Sequence, residues 1–255
     1  MKRIILFCFL ATLVIFAGSF SNQPAELLDG EMSVARVLEK LKDEPLPHQP
    51  DFSIPGVSAE KGAQLVREGI TNGRSGGKVR KQSRHFVCTS CHNIEREDPD
   101  LSQSDPQARL LYAKENGMPF LQGTTLYGAV NRIRFYNGDY EKKYGELVKP
   151  ARNDLREAIQ LCAVECSQGR KLKTWELESV LAFLWTIDLK MDDLNLTTEE
   201  KTLVNEALNG NGDKAESIAL IKEKYLNGSP ATFVDPPKDR TEGYAHKGNA
   251  ENGKL

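Results

Sequence analysis

The sequence predicts an all-α protein, and three observations support this class. Apolar residues recur at helical spacing, most clearly over residues 175–187, where one face carries Leu177, Val180, Leu181, Leu184 and Trp185. Residues that cap helices stand directly before several such segments. Alternating runs of β-branched residues, which are typical of strands, are few.

The first 21 residues predict a signal for export, so we expect a periplasmic or otherwise exported protein. Lys2 and Arg3 precede an apolar run over residues 4–17, which ends at the small residues Gly18 and Ser19. This order is that of a secretory signal. The run is shorter than the roughly 20 residues that a membrane-spanning helix needs. An uncleaved signal that tethers the chain to a membrane is therefore the second interpretation.

Length and charge set broad limits on the function. The chain has 255 residues, of which 39% are hydrophobic, enough for one or two domains with real cores. It has 34 basic and 36 acidic residues, and cleavage of the signal would remove two basic residues and no acidic one. The resulting mild acidity argues against a strongly basic surface, so we expect no nucleic-acid partner.

Residues 22–55 predict a proline-rich arm with a short helix around residues 32–42. Four prolines fall within eleven positions, at Pro45, Pro47, Pro50 and Pro55. A longer helix is predicted over residues 58–68. It contains Gly62, and an interior glycine costs about 1 kcal/mol relative to alanine, which indicates a place where another helix crosses closely.

The middle of the chain is less regular. Residues 93–123 are predicted to be loop with short turns, and residues 124–135 to be a helix. Asn137, Gly138 and Asp139 favour a turn. A helix is predicted over residues 154–164, before the clear helix at 175–187.

Residues 191–228 predict a helical hairpin that follows the main domain. Its first helix starts after a capping box formed by Thr197 and Glu200. The second follows Asp213, with Glu216 three residues later.

The chemistry lies in Cys88-Thr89-Ser90-Cys91-His92, a C-x-x-C-H motif. In c-type haem attachment, the two thiols add to the vinyl groups at one edge of the porphyrin, and the histidine then reaches the iron as its proximal ligand. The motif therefore predicts one covalent haem c. The alternatives are a disulfide or half of a zinc site, and a zinc site requires a second closely spaced pair of ligands.

The motif and its flanking helices resemble the class I cytochrome c family. The stretch Glu60-Lys61-Gly62-Ala63-Gln64-Leu65 matches the family's first helix, and Val180-Leu181-Ala182-Phe183-Leu184-Trp185 matches its last. The resemblance spans residues 56–190, with inserts at 70–87 and 93–150. It implies a cytochrome c-like helical domain around the haem, in which Gly62 meets Phe183 or Trp185.

The second axial ligand of the iron is left open by the sequence. The family usually places a methionine before the last helix, but the only methionine between His92 and Thr174 is Met118. The later position carries Cys162, followed by Cys166. The stretches 158–162 and 169–172 are similar to the Sox-type haem subunits and thiosulfate dehydrogenases, whose iron is bound by a cysteine there. This similarity implies Cys162 as the ligand.

Three alternatives to Cys162 ligation remain open. Met118 can be the ligand, the site can be open, or Cys162 and Cys166 can form a disulfide or pack in the core. Arg132 and Arg134 are candidates for neutralising the haem propionates, because guanidinium pairs well with carboxylate. Their alternative role is as solvated charges on a helix.

The predicted function is electron transfer between redox partner proteins, which include membrane-bound ones. A haem enzyme acting on a small sulfur substrate such as thiosulfate is an alternative, and a haem-based module that binds a small gas is another. An electron carrier is favoured over an enzyme.

Residues 229–255 predict a linker and the start of a second cytochrome domain. Ala250-Glu251-Asn252-Gly253 repeats the pattern Ala-Glu-x-Gly with which the helix at 58–68 opens. This interpretation makes the chain a truncated dihaem cytochrome, and the alternative is a polar tail.

Overall fold

The protein is described here by a computed structural model, which covers residues 27–73, 76–136, 138–226, 228 and 241. Within these residues the chain is helical, and no strand forms apart from isolated bridges between Ser33 and Lys190 and between Asn72 and Lys78. The predicted all-α class is confirmed. The predicted signal at 1–21 and the repeat at 250–253 lie outside the described residues.

The described α-helices, numbered in chain order, are α1 Val34–Lys40, α2 Ala59–Glu68, α3 Pro106–Glu115, α4 Gly138–Tyr144, α5 Leu155–Leu161, α6 Thr174–Leu184, α7 Thr198–Leu208 and α8 Lys214–Glu223. None of these helices has the length and apolar character that would let it cross a membrane.

Helices α2 and α6 cross at Gly62. A Cβ atom at this position would lie 1.9 Å from the carbonyl oxygen of Ser179 and 2.8 Å from the Cβ atom of Phe183. Only glycine allows the two backbones to approach this closely. The expected contact between Gly62 and Phe183 is therefore confirmed.

Helix α6 is the central element of the first core, because its residues Trp175 to Leu184 are all buried. Two of these residues are acidic, and each is paired with an arginine. Glu176 lies 2.6 Å from Arg170, and Glu178 lies 2.7 Å from Arg156. Around α6 this core contains Leu65, Val66, Val130, Leu155 and Leu172.

Helix α1 belongs to a second core, which it shares with α7, α8 and the segment between α6 and α7. The backbone N–H of Val34 donates to the carbonyl of Leu189 at 2.8 Å, and that of Met191 donates to Met32 at 3.0 Å. The buried side chains of this core include Val37, Leu38, Leu41, Leu194, Val204, Ala207 and Ile221. The arm therefore packs against the predicted helical hairpin.

The prediction of loop over residues 93–123 is wrong, because the ten-residue helix α3 lies within it. The Asp105 side chain accepts hydrogen bonds from the N–H groups of Gln107 and Ala108, and Pro106 occupies the first helical turn. Both are ordinary signals for the start of a helix.

The predicted helix over residues 124–135 is also wrong, since only the 3₁₀ turn Ala129–Asn131 forms there. The N–H of Leu126 donates to the carbonyl of Asn93 at 2.8 Å, and Gly128 has a φ of +67°. Both features are incompatible with a continuous helix. Of the turn predicted at residues 137–139, Gly138 and Asp139 instead begin α4, and Asn137 lies outside the described residues.

Candidate functional site

The C-x-x-C-H motif forms a single tight turn. Residues Cys88–Ser90 are a 3₁₀ helix, and the N–H groups of Cys91 and His92 donate to the carbonyl of Cys88 at 3.1 and 3.0 Å. Both cysteines are free thiols. Burial raises the pKa of the Cys88 thiol to about 11, so it is protonated at neutral pH.

His92 is held as a neutral imidazole with a defined tautomer. Its Nδ1 atom lies 2.6 Å from the carbonyl oxygen of Thr124. A carbonyl can only accept, so Nδ1 carries the hydrogen and Nε2 keeps its lone pair. Burial lowers the pKa of His92, and the bond to Thr124 opposes this only in part. The side chain is therefore ready to donate its Nε2 lone pair to a metal.

Gly123 lies directly against this imidazole and was not singled out from the sequence. A Cβ atom here would be 2.4 Å from Cε1 of His92 and 2.8 Å from the carbonyl oxygen of Cys91. The N–H of Gly123 donates to that same carbonyl at 2.8 Å. Glycine is thus required for the contact between the turn and the following loop. In the sequence nothing distinguishes it from other loop glycines.

Glu97 is a second residue that sequence reasoning missed. Its side chain is only 1% exposed. It accepts hydrogen bonds from the N–H of Thr125 at 2.5 Å and from Nδ2 of Asn93 at 2.9 Å. Glu97 therefore links Asn93, which follows His92, to Thr125, which follows Thr124.

Arg109, on α3, completes this network. Its Nε atom forms an ion pair with Oε1 of Glu97 at 2.8 Å. The Nε–H group is not directed at this oxygen and forms no hydrogen bond. Its Nη2 donates to the carbonyls of Leu121 and Gly123, both at 2.8 Å. The loop behind His92 is thus anchored by a buried ion pair.

Cys162 and Cys166 lie on the π-helical turn Cys162–Cys166, which continues α5. The Cys162 thiol donates a hydrogen bond to Cys166, and this bond raises the pKa of Cys162. The same bond, together with one donated by Tyr136, lowers the pKa of Cys166 to about 7. Both thiols are free, and Cys166 is exposed. The predicted alternative of a disulfide between them is not formed.

Cys162 lies within electrostatic range of the C-x-x-C-H turn. The charges of Cys88 and Cys91 both raise the pKa of Cys162, after the larger contributions of Cys166 and of burial. These residues are about 70 positions apart in the sequence.

Three tyrosines extend from Cys166 to the surface. The rings of Tyr136 and Tyr140 lie 5.1 Å apart, and those of Tyr140 and Tyr144 lie 6.2 Å apart. Tyr144 is exposed. Burial raises the pKa of Tyr136, so this hydroxyl is a proton donor at neutral pH.

Met118 follows the end of α3, where its N–H donates to the carbonyl of Ala113 at 2.8 Å. The carbonyl of the next residue, Pro119, accepts a hydrogen bond from Asn93 at 3.0 Å. Met118 therefore belongs to the loop that supports the Nδ1 side of His92.

The two candidate arginines have different surroundings. Arg134 is exposed. Arg132 is half-buried, and among the described residues the only hydrogen bond of its guanidinium is a long one, 3.4 Å to Oγ1 of Thr124. Burial lowers its pKa, and the charges of Asp98 and Glu97 oppose this change. Arg132 is thus a half-buried cation, and most of its guanidinium donors form no hydrogen bond within the described residues.

Arg132 faces a cavity of about 200 Å³ at the junction between the loop behind His92 and the second core. Burial raises the pKa of Asp98, which also lines this cavity, to about 6.

Among the described residues, no three histidine, cysteine or acidic side chains cluster as a metal-binding group. In comparisons with known proteins, no family model, no curated protein and no solved structure matched the chain.

Proposed function

We propose that the chain is an exported c-type cytochrome that transfers electrons between redox partner proteins. One haem is bound through thioether bonds from Cys88 and Cys91, with His92 as an iron ligand. The observation that carries this proposal is the state of His92: neutral, with Nδ1 donating to Thr124 and Nε2 left with its lone pair. When bound, the haem supplies reversible one-electron chemistry.

The surroundings of the motif fit the group. Cys88 and Cys91 are free thiols on one tight turn, as two bonds to one porphyrin edge require. Arg132 is a half-buried cation without a carboxylate in ion-pair contact among the described residues, and a haem propionate would neutralise it. The exposed Arg134 is a weaker candidate for that role.

Covalent attachment is tested by haem staining after denaturing electrophoresis. We expect the wild-type chain, expressed with a haem-attachment system, to stain, and the double variant Cys88→Ala/Cys91→Ala not to stain. The control is Cys166→Ala, which removes an exposed thiol outside the motif and should leave the stain unchanged. A wild-type chain that folds but carries no covalent haem would refute the proposal.

We propose that Cys162 would bind the haem iron together with His92. Its proximity to Cys88 and Cys91 supports this role, whereas Met118 belongs to the loop on the Nδ1 side of His92. Cys162 must lose its proton to act as a thiolate ligand, and the hydrogen-bonded Cys166 is positioned to accept it. Thiolate donation would lower the reduction potential.

The ferric absorption spectrum distinguishes the candidate ligands. We expect Cys162→Ser to change it and Met118→Ala to leave it unchanged. Glu165→Gln is the matched control, because it changes an exposed side chain of the same turn and keeps both thiols. A change in the methionine variant, with none in Cys162→Ser, would reverse the assignment.

A haem enzyme acting on a sulfur substrate is the second candidate function. The observation that favours it is the exposed Cys166, whose pKa is lowered to about 7 beside Cys162. The test is thiosulfate-dependent reduction of an added electron acceptor. An enzyme should show it in the wild type and lose most of it in Cys166→Ala. A wild-type rate equal to that of free haem would leave the electron carrier as the function.

A further inference from the structure

We propose that Glu97 and Arg109 are positioning residues, which act through the loop behind His92 to set the reduction potential of the haem. This inference rests on the proposed function, because it concerns the same histidine. Neither residue contacts the imidazole. Both act on the Thr124 carbonyl that accepts its Nδ1 hydrogen.

Glu97 holds the peptide unit that contains this carbonyl. The carbonyl of Thr124 and the N–H of Thr125 belong to one planar peptide unit and point in opposite directions. The N–H of Thr125 donates to Glu97 at 2.5 Å. Since the unit is rigid, fixing the N–H side also fixes the direction in which the carbonyl points towards His92.

Arg109 holds the preceding part of the loop. Its Nη2 donates to the carbonyls of Leu121 and Gly123, so the peptide unit directly before Thr124 is fixed as well. Its guanidinium also lies 4.6 Å from the centre of the Phe120 ring. The carbonyl that meets His92 is thus supported on both sides along the chain.

The burial of this pair points to a role beyond stability. The side chains of Glu97 and Arg109 are 1% and 12% exposed. Removing two charges from water costs about as much as their attraction returns, so buried pairs contribute little net stability. A buried pair whose remaining hydrogen bonds all go to one loop, and to the residue after His92, serves chiefly to orient that loop.

Arg109 affects the reduction potential in two ways, through the bond between His92 and Thr124 and through its own charge. The two effects have opposite signs and can be separated. A strong bond from Nδ1–H to the carbonyl makes the imidazole a better electron donor, which favours ferric iron and lowers the potential. Loss of this bond therefore raises the potential. Loss of a nearby positive charge, taken alone, lowers it because ferric iron carries more positive charge.

The test is a redox titration of the haem-loaded protein with Arg109→Lys and Arg109→Leu. Lysine keeps the charge and cannot bridge both carbonyls, so we expect the potential to rise. Leucine also removes the charge, and we still expect a rise. A potential that is unchanged with lysine and lowered with leucine would show that Arg109 acts by charge alone and would overturn the proposal.

Arg156 provides matched controls. It also pairs with a buried acid, Glu178, and also donates to a backbone carbonyl, that of Gln49 at 2.8 Å, but it supports the arm rather than the loop behind His92. Arg156→Lys and Arg156→Leu should leave the potential unchanged. A rise in potential equal to that of the Arg109 variants would mean that the loss of any comparable contact raises the potential. This outcome would refute a specific positioning role for Arg109.

Exchange of the His92 Nδ1 proton, measured by nitrogen-15 NMR, is a second readout that does not need the haem. We expect this exchange to be about tenfold faster in Arg109→Lys, as loss of roughly one hydrogen bond implies. Wild-type protein without covalent haem would refute the proposed function, while the exchange would still report on the loop. Equal exchange in the wild type and Arg109→Lys would refute the positioning role.

Discussion

Backbone groups define the environment of His92 more than side chains do. The Thr124 carbonyl fixes its tautomer, the absent side chain of Gly123 leaves room for its ring, and the Cys88 carbonyl accepts its N–H. Side-chain charges act one step further away, through Glu97. At the residue scale, small changes near the imidazole should therefore have large effects.

Gly123→Ala tests the space beside the imidazole. The new Cβ atom would lie 2.4 Å from the ring of His92 and 2.8 Å from a backbone oxygen, so the loop must shift. We expect the free energy of unfolding, measured with urea, to fall by about 1–3 kcal/mol, the usual cost of overpacking. Gly77→Ala is the control, because no atom lies within 4 Å of a Cβ there. Equal stabilities of the two variants would contradict the proposed contact.

Asp98→Asn tests the buried charge in the cavity. Burial and repulsion by Glu97 raise the pKa of Asp98 to about 6, although Arg109, Arg132 and Arg96 attract its charge. The folded state therefore binds the proton more tightly than the unfolded state, whose pKa is near 3.8, and stability falls as the pH rises from about 4 to 6.

The Asp98→Asn variant has no group to ionise at this position, so its stability does not fall in this way as the pH rises. In thermal unfolding it should match the wild type near pH 4 and exceed it above pH 6, with the difference developing between these values. Parallel curves for the two proteins across this range would show that Asp98 titrates normally.

At the scale of elements, the site depends on one helix crossing and one irregular turn. The crossing of α2 and α6 at Gly62 supports the helix that precedes the C-x-x-C-H turn. The turn Cys162–Cys166 widens the end of α5 from α-helical to π-helical geometry. Such local widening is common where helices carry functional residues.

Gly62→Ala tests whether helix propensity or packing at the crossing dominates, because the two change the free energy of unfolding in opposite directions. Helix propensity alone predicts that alanine stabilises α2 by about 1 kcal/mol. At the crossing, the added Cβ atom would meet the Ser179 backbone at 1.9 Å, so we expect a net loss of about 1–3 kcal/mol in the free energy of unfolding. Urea denaturation measures it, with Glu60→Ala on the exposed face of α2 as control. A stabilised Gly62 variant would show that the helices do not cross there.

At the scale of the whole molecule, two cores meet at the segment between α6 and α7. One core surrounds α6 and packs against Cys88 of the C-x-x-C-H turn, and the other joins α1 to α7 and α8. The chain runs through the second core before it enters the first. Leu189 and Tyr225 of the second core line the cavity that Arg132 faces, so the second core helps to enclose this cavity.

Leu38→Ala tests whether α1 contributes to global stability. Leu38 is 1% exposed within the second core, and truncation of a buried leucine costs about 2–5 kcal/mol. We expect a lower urea midpoint when unfolding is followed by circular dichroism. The control is Arg36→Ala on the same helix, whose ion pair with Glu39 is exposed and contributes little. An unchanged midpoint for Leu38→Ala would show that α1 is not docked in solution.

Local sequence signals were sufficient for part of this protein. The all-α class, the helix that starts near Ser58, the capping box at Thr197 and the close approach at Gly62 were all predictable, because each depends on neighbouring residues or on helical periodicity. Helix α3 carries comparable local signals at Asp105 and Pro106, so its start is predictable on the same grounds. The C-x-x-C-H motif likewise predicts haem attachment from the sequence alone, because its two cysteines and its histidine are close together in the chain.

Only the tertiary structure decided how that motif is supported. The Thr124 carbonyl, the Glu97–Arg109 pair and the proximity of Cys162 to Cys88 join residues that are distant in the chain. No local pattern encodes such contacts, because a backbone carbonyl has the same chemistry at every position. Its role depends on where packing directs it. The sequence by itself determined which groups can react, and the packing of the helices decided which of them meet.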